Sequence, residues 1–298
     1  MIAFDSIYVH PLPENHRFPM EKYDLLPRQL LHEGTISENE IIAPKKINQA
    51  FISNIHCKDY LNDLQSLKIS AKQQRQSGFV HTHQLIQREL TIMEGTRMAA
   101  ESALKGAISF NIAGGTHHAF FNRGEGFCLL NDQVIAAKWL QNNTHVNQIL
   151  IIDLDVHQGN GTASIFSTNK DVFTISFHGK KNYPFRKEKS DIDLEFDDGA
   201  DDQYYLNKLK DIIPNAIDNF KPDFIFYLSG VDVLNNDKLG RLGLSIDGCK
   251  ERDKFILEFC KKNSIPVQVS MGGGYSELLK NIIEAHSNTF RLAQEIYF

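Results

Sequence analysis

The stretch Ile149-Leu150-Ile151-Ile152-Asp153-Leu154-Asp155-Val156-His157 decides how the rest of the chain is read. Its four aliphatic residues form a run too short for a stable helix. Such a run reads as a strand buried on both faces of a parallel sheet. Three metal-capable side chains follow at once. In extended backbone alternate side chains share a face, so Asp153, Asp155 and His157 project to one side where the strand leaves the sheet. Carboxylate oxygen and imidazole nitrogen suit zinc, and a catalytic zinc takes three protein ligands with a fourth position open. A further ligand must then come from elsewhere in the chain.

Outward from this segment, 2–9, 107–112, 148–153, 171–177, 223–228 and 265–271 read as strands, several rich in Ile, Val and Phe. Helical periodicity appears over 85–105, 130–141, 203–219, 248–262 and 276–297. Strands separated by helices predict an α/β fold with a central, mainly parallel sheet covered by helices on both faces. No repeat and no linker rich in Pro, Gly or Ser divides the chain, so residues 1–298 are expected to form a single three-layer domain. Residues 68–83 are polar and aperiodic and read as a mobile surface loop; 178–202 read as a long excursion from the sheet.

The 298 residues are 42% hydrophobic and 23% charged, the composition of a globular protein with a sizeable core. Net charge is -5 and no long Lys/Arg run is present, so direct nucleic-acid binding is not expected. Cys57, Cys128, Cys249 and Cys260 are scattered without a C-x-x-C pair and read as reduced thiols of a cytoplasmic protein. The first ten residues do not resemble a signal peptide. No apolar run approaches ~18 residues, so neither export by that route nor a membrane span is expected.

The unusual polar residues follow the strands. Gly114-Gly115-Thr116-His117-His118 follows 107–112, the Asp/His cluster follows 148–152, His178 follows 171–177, Asp232 follows 223–228, and Gly272-Gly273-Gly274-Tyr275 follows 265–271. Strand ends of a parallel sheet lie along one edge, where ligands bind, so these motifs are expected to converge. Singly each has an ordinary explanation: packing histidines, an Asp in a turn or helix cap, glycines in a tight turn. Together, in this order, they point to a site.

Over nearly its whole length the chain resembles the zinc-dependent histone deacetylase family, which also includes acetoin-utilisation proteins and acetylpolyamine amidohydrolases. The resemblance rests on His16-Arg17-Phe18-Pro19-Met20, Gly114 to Ala119, Gly126-Phe127-Cys128-Leu129-Leu130-Asn131-Asp132, Asp153 to Gly161, Ser229-Gly230-Val231-Asp232 and Gly272 to Tyr275. The Asp-Val-His-Gln-Gly-Asn-Gly stretch and the early His-Arg-Phe-Pro-Met-Glu-Lys-Tyr are most similar to the class IV branch and its bacterial relatives.

The resemblance implies that Asp155, His157 and Asp232 bind Zn2+, with Fe2+ as an alternative, and that Tyr275 donates to the substrate carbonyl. It implies His118 as general base and later acid, His117 as its electrostatic partner, and Asp153 as the carboxylate that orients His117. Asn160 stands where some branches carry aspartate, which predicts a less basic His118. Gly126 and Phe127, with Tyr183 and Phe185, resemble substrate-binding walls of a narrow tunnel; core packing is the competing reading. Arg17 resembles an arginine at the floor of the pocket beneath the metal, with a surface position as the alternative. Asp153, Asp155, His157, Ser176 and Phe177 match a structural K+ site. The implied partner is an acyl-lysine protein or peptide, long acyl chains included, or a small acylated amine such as an acetylpolyamine; a monomer is expected.

Two rival readings remain at this level. An arginase-like ureohydrolase shares the architecture, but its D-x-H-x-D and D-x-D patterns are absent. A catalytically silent binding module is opposed by the full set of ligands, both histidines and Tyr275. The acidic cluster Asp191, Asp193, Glu195, Asp197, Asp198, Asp201 and Asp202 reads as a solvated loop feeding a helix N-terminus; a rim attracting basic peptides or polyamines is the lesser reading.

Overall fold

Ile149–Asp153 is a fully buried strand near the middle of an eight-stranded sheet in the computed structural model, which describes residues 1–298. In chain order the strands are β1 (Ile2–Ala3), β2 (Ile41–Ile42), β3 (Ile108–Asn111), β4 (Ile149–Asp153), β5 (Val172–Gly179), β6 (Ile192–Phe196), β7 (Phe224–Leu228) and β8 (Val267–Ser270). Their spatial order is β2-β1-β3-β8-β7-β4-β5-β6, and every pair is parallel. The central strands β3, β4, β7 and β8 are buried at every position, whereas edge strand β6 is only partly buried. That contrast is expected where helices cover both faces of a sheet but not its rim.

The helices are α1 (Lys22–His32), α2 (Gln49–Ile52), α3 (Lys58–Gln65), α4 (Ala71–Ser77), α5 (His83–Gly106), α6 (Asp132–Asn143), α7 (Asn160–Phe166), α8 (Asp202–Phe220), α9 (Ile246–Lys262) and α10 (Leu279–Tyr297). They pack in two groups, α5 with α6 and α3, and α8, α9, α10 and α1 in succession. Six of them start on a side chain that accepts a backbone N–H of the first turn: Asn48 for α2, Ser70 for α4, Thr82 for α5, Asn131 for α6, Asp201 for α8 and Ser245 for α9.

Three expectations need correction. Residues 2–9 are not one strand: Ile2–Ala3 pairs, then Asp5 accepts the N–H of Ile7 and starts a short 3-10 turn. The supposed loop 68–83 contains α4, defined by a Ser70/Gln73 capping box and a left-handed Gly78 at its end. This helix is mostly exposed, so it carries no apolar period that would betray it. The excursion 178–202 contains β6, whose Ile192 and Leu194 alternate with Asp193 and Glu195 as edge-strand positions do.

Candidate active site

Four neighbouring strands, β3, β8, β7 and β4, deliver the site, and because all are parallel their carboxyl ends share one edge. Beyond β4 the chain turns on its own carboxylates: Asp153 Oδ1 accepts the N–H of Asp155 at 3.1 Å, and Asp155 Oδ1 that of His157 at 2.9 Å. Beyond β7, Asp232 Oδ1 accepts the N–H of Val156 at 2.9 Å, which fastens the two loops together. Behind them, Arg252 of α9 donates from Nη1 to Leu154 O (3.1 Å) and Gly230 O (2.7 Å). This guanidinium is fully buried and paired with Asp253, whose carboxylate also accepts from Tyr227 and Thr289.

Asp155, His157 and Asp232 are buried, and a ligand atom of each lies within 4.8 Å of the others. His157 Nδ1 is 3.0 Å from Asp155 Oδ1 and 3.1 Å from Asp232 Oδ2. Protons take up the charge that a cation would otherwise balance. Burial, and then the Asp155 charge, pushes Asp232 up to about 7. Burial alone would lower His157, but the two carboxylates carry it up to about 10. A Cβ at Gly273 would collide with the Asp232 carboxylate, and the Gly273 N–H donates to Asp155 Oδ2 at 2.7 Å, so this glycine is the residue that fits against the cluster. Two carboxylates and an imidazole, drawn together without a Lys or Arg among them, form a donor set that fits Zn2+ or Fe2+.

Beyond β3, Asp132 accepts from Gly115 N (3.1 Å), Thr116 N (2.8 Å) and Thr116 Oγ1 (2.8 Å), which fixes the turn leading to the histidine pair. His117 Nδ1 lies 2.7 Å from Asp153 Oδ2, His118 Nδ1 2.7 Å from Asn160 Oδ1, and the two Nε2 atoms 3.1 Å apart. Both Nδ1 atoms face acceptors and so carry protons. Two bare Nε2 lone pairs would then repel, so one ring must be an imidazolium. Burial works against charge on both rings; for His117 the Asp153 and Asp155 carboxylates outweigh it and hold the pKa up to about 9. His118, with burial, the His117 and His157 charges, and only an amide behind it, falls well below its ordinary value. His118 is therefore the neutral acceptor of the pair.

A narrow inner chamber of about 40 Å³ opens beside these groups, and an outer cleft of about 610 Å³ leads to it. His118, Gly126, Phe127, His157 and Tyr275 line both spaces and form the neck between them. The Phe127 ring lies 5.2 Å from Phe18 and 5.9 Å from Tyr275, centroid to centroid. Gly126 must be glycine, since a Cβ there would stand 2.5 Å from His118 Cδ2. Phe127 itself has a positive φ of 66°, an uncommon backbone state for a bulky residue. Its N–H donates to Ser77 O and that of Gly126 to Gln76 O, so the end of α4 holds this turn in place.

Tyr183 and Phe185 have different positions. The Tyr183 ring meets His118 edge to face at 4.9 Å, and its hydroxyl donates to Glu125 Oε2 at 2.6 Å. Phe185 is 89% exposed and stands at the outer lip, so it walls no tunnel. Arg17 is exposed on the cleft rim and not beneath the site, because the 11–19 segment runs over the surface before α1. Arg88 lines the inner chamber instead, and Lys22 lies under the Tyr275 ring at 5.5 Å, its Nζ donating to Gly272 O at 3.1 Å. Burial lowers Lys22 to about 8, against the pull of Asp232 and Asp155. His178 does not join the other motifs: β5 extends through it, and its Nδ1 lies 2.9 Å from Ser176 Oγ. Asp153 pairs with Ser176 across β4 and β5.

Lys22, Glu125 and Arg252 were not singled out from the sequence. Glu125 had a usable signal, an acid between two glycines directly before Phe127. Arg252 sits in the Lys250-Glu251-Arg252-Asp253-Lys254 run of a helix and looks like any solvated charge.

Comparison with known proteins agrees with this geometry. The histone deacetylase domain family matches residues 16–290. An uncharacterized protein of Picosynechococcus sp. is 38% identical over 296 residues, covering 99% of both chains. Histone deacetylase 2 of Arabidopsis thaliana is 28% identical over 277 residues, which cover 90% of this chain and 72% of that one. The crystal structure of an HDAC homolog from Aquifex aeolicus superposes with a TM-score of 0.84 at 24% identity, covering 97% of this chain and 82% of the other. That likeness concerns the fold; the match of the family over residues 16–290 carries the assignment, and by it the chain belongs to the histone deacetylase domain family.

Proposed function

We propose that this chain hydrolyses the amide of an acylated lysine side chain, and that acetyl is preferred to long acyl groups. The observation that carries the proposal is the neck, where a neutral histidine acceptor, a free tyrosine hydroxyl and the metal-ligand cluster meet between an open cleft and a small chamber. Held by Asp155, His157 and Asp232, a zinc ion, or Fe2+ in its place, supplies Lewis acidity and brings the pKa of water toward ~7.

The chain's own groups account for the proton movements. His118 Nε2 takes a proton from water as the water oxygen bonds to the amide carbon. The Tyr275 hydroxyl, which has no partner within the protein and which burial keeps protonated, donates to the oxygen where negative charge develops. The C–N bond then breaks as His118 returns its proton to the departing lysine nitrogen. His117, kept charged by Asp153, favours the negative centre formed between these steps.

A chamber of about 40 Å³ has room for about three waters, or a group the size of acetyl. Longer chains need lining residues such as Tyr23 or Arg88 to move. K+ bound by Asp153, Asp155, His157, Ser176 and Phe177 would brace β4 against β5. The catalytic unit proposed is the whole chain, 1–298, acting as a cytoplasmic monomer with four free cysteines and without nucleic-acid or membrane partners; no helix is long and apolar enough to cross a membrane.

Metal-loaded protein assayed on lysine peptides carrying acetyl, butyryl, octanoyl and myristoyl groups, with acetylpolyamines alongside and Tyr275→Phe as control, tests the proposal. Acetyl-lysine turnover that the control loses supports it. Turnover of polyamines alone, or of nothing, sinks it.

A further inference from the structure

The outer cleft has a charge that neither its chemistry nor the chain's composition requires. Arg17, Arg75, Lys181, Lys238 and Arg241 line it, and no Asp or Glu does. The chain as a whole has 32 basic and 37 acidic residues, so an unbiased lining would hold at least as many acids as bases. The five cations come from four separate segments: the loop before α1, helix α4, the loop after β5 and the loop after β7. Folding alone brings them together.

Internal pairing does not cancel the charge. Lys181 and Arg241 share the single carboxylate of Asp198, at 3.4 and 3.3 Å. Arg17, Arg75 and Lys238 have no acidic partner and are exposed. Four acids of the cluster that might have formed a rim are engaged elsewhere. Asp191 accepts from Thr174, Asp193 from Gln158 and Ser190, Asp201 caps α8, and Asp202 accepts from Ser245. Glu125, at the inner end, is turned onto Tyr183 and Arg123. Arg186, next in the chain to the exposed Phe185, is also exposed.

We infer that the mouth selects acyl-lysines set among acidic residues of a polypeptide. This rests on the deacylase reading and specifies its substrate class. A cleft lined by one sign of charge concentrates the opposite sign at its entrance. Single exposed pairs contribute little, but several cations around one opening act on the same flanking residues. Lys/Arg-rich tails and polyamines meet repulsion at the same place. The cations line one cleft that narrows to the neck, and Phe185 is the sole exposed aromatic among them, so the row of stacking rings that a nucleic-acid strand uses is absent from this lining and a peptide is favoured.

The test uses three peptides that share a central acetyl-lysine and differ in flanking Glu, Gln or Arg. Metal-loaded wild type and the Arg75→Glu/Lys238→Glu double variant are compared for kcat/KM at low and high salt. A short oligothymidylate serves as competitor. In wild type the Glu peptide should exceed the Arg peptide roughly tenfold at low salt, through KM, and the gap should close as screening sets in above ~0.3 M. In the double variant, whose mouth holds three cations against two new carboxylates and Asp198, the preference should vanish. Both positions are exposed, and a melting temperature equal to wild type checks that the variant is folded. Equal use of the three peptides by wild type, or its preference for Arg, overturns the inference and leaves the deacylase reading standing. No turnover even of the Gln peptide overturns the reading itself and the inference with it. Tighter competition by the oligonucleotide than by the Glu peptide assigns the mouth to nucleic acid and likewise overturns the inference.

Discussion

Replacing Asn160 by aspartate puts a carboxylate where an amide oxygen now lies 2.7 Å from His118 Nδ1. An opposite charge that close raises an imidazole pKa by about 1–3 units, ~1.4 kcal/mol for each unit. Glu125 pulls the figure toward the lower end. Its Oε2 is 3.5 Å from Asn160 Nδ2, so the new carboxylate would face an old one, and two such groups do not both ionise freely. The expected rise is about 1 unit for Asn160→Asp alone and about 2 units when Glu125→Gln removes the competing acid. His118 must be neutral to accept a proton. Its active form is lost as pH falls through its pKa, so a raised value moves the acidic limb of kcat/KM to higher pH by the same amount. Below the limb, activity at a given pH drops about tenfold for every pH unit by which the limb moves. Profiles for wild type, single and double variants at equal metal content measure this directly. An acidic limb that stays in place in both variants would refute the assignment of His118 as a base tuned by residue 160.

Tyr275→Phe removes an unpartnered hydroxyl and should lower kcat by about 10²–10³ with bound metal unchanged, both read on the same sample by kinetics and elemental analysis. Metal removal should make stability fall with rising pH. Without a cation, His157 keeps its proton up to about 10 and Asp232 up to about 7, both above their unfolded values. The His157 contribution is therefore complete below pH ~6.5 and lost as pH rises through about 10, and the Asp232 effect has the same sign from pH ~4 to 7. Melting of chelator-treated protein should decline across this range while the metal-loaded form stays flatter, and a flat curve for both contradicts the cluster described above. Asp253→Ala leaves the Arg252 guanidinium buried without its partner and should cost about 3–5 kcal/mol in urea unfolding, with weaker metal retention because Arg252 holds the carbonyls of both ligand loops.

The legible parts of the fold were those under the strongest constraint. A strand buried on both faces admits mostly Ile, Leu, Val and aromatic residues, so β4 and β7 are plain in the sequence. Strands β1 and β2, two residues each, and the exposed helix α4 carry too few apolar positions to show a period. Helix α1 does show one, at Tyr23, Leu26, Pro27 and Leu30, but Pro27 within it masks the signal. In the site, the residues in strand-end motifs were recognisable because their types are unusual there. Residues acting from a distance in sequence were not: Arg252 lies 98 positions from Leu154, and Glu125 lies 35 from Asn160. Arg17 was placed by motif alone, and motif order carries no information on whether a loop passes beneath a site or over its rim.

The pairing of Gln76 and Ser77 with Gly126 and Phe127 separates two jobs that share one neck. Helix α4 touches the wall and the entrance but supplies none of the groups that move protons. Changes in residues 70–80 can therefore reshape what enters while the reacting groups stay as they are, which makes this short exposed helix the natural cassette for retargeting the protein by exchange between relatives.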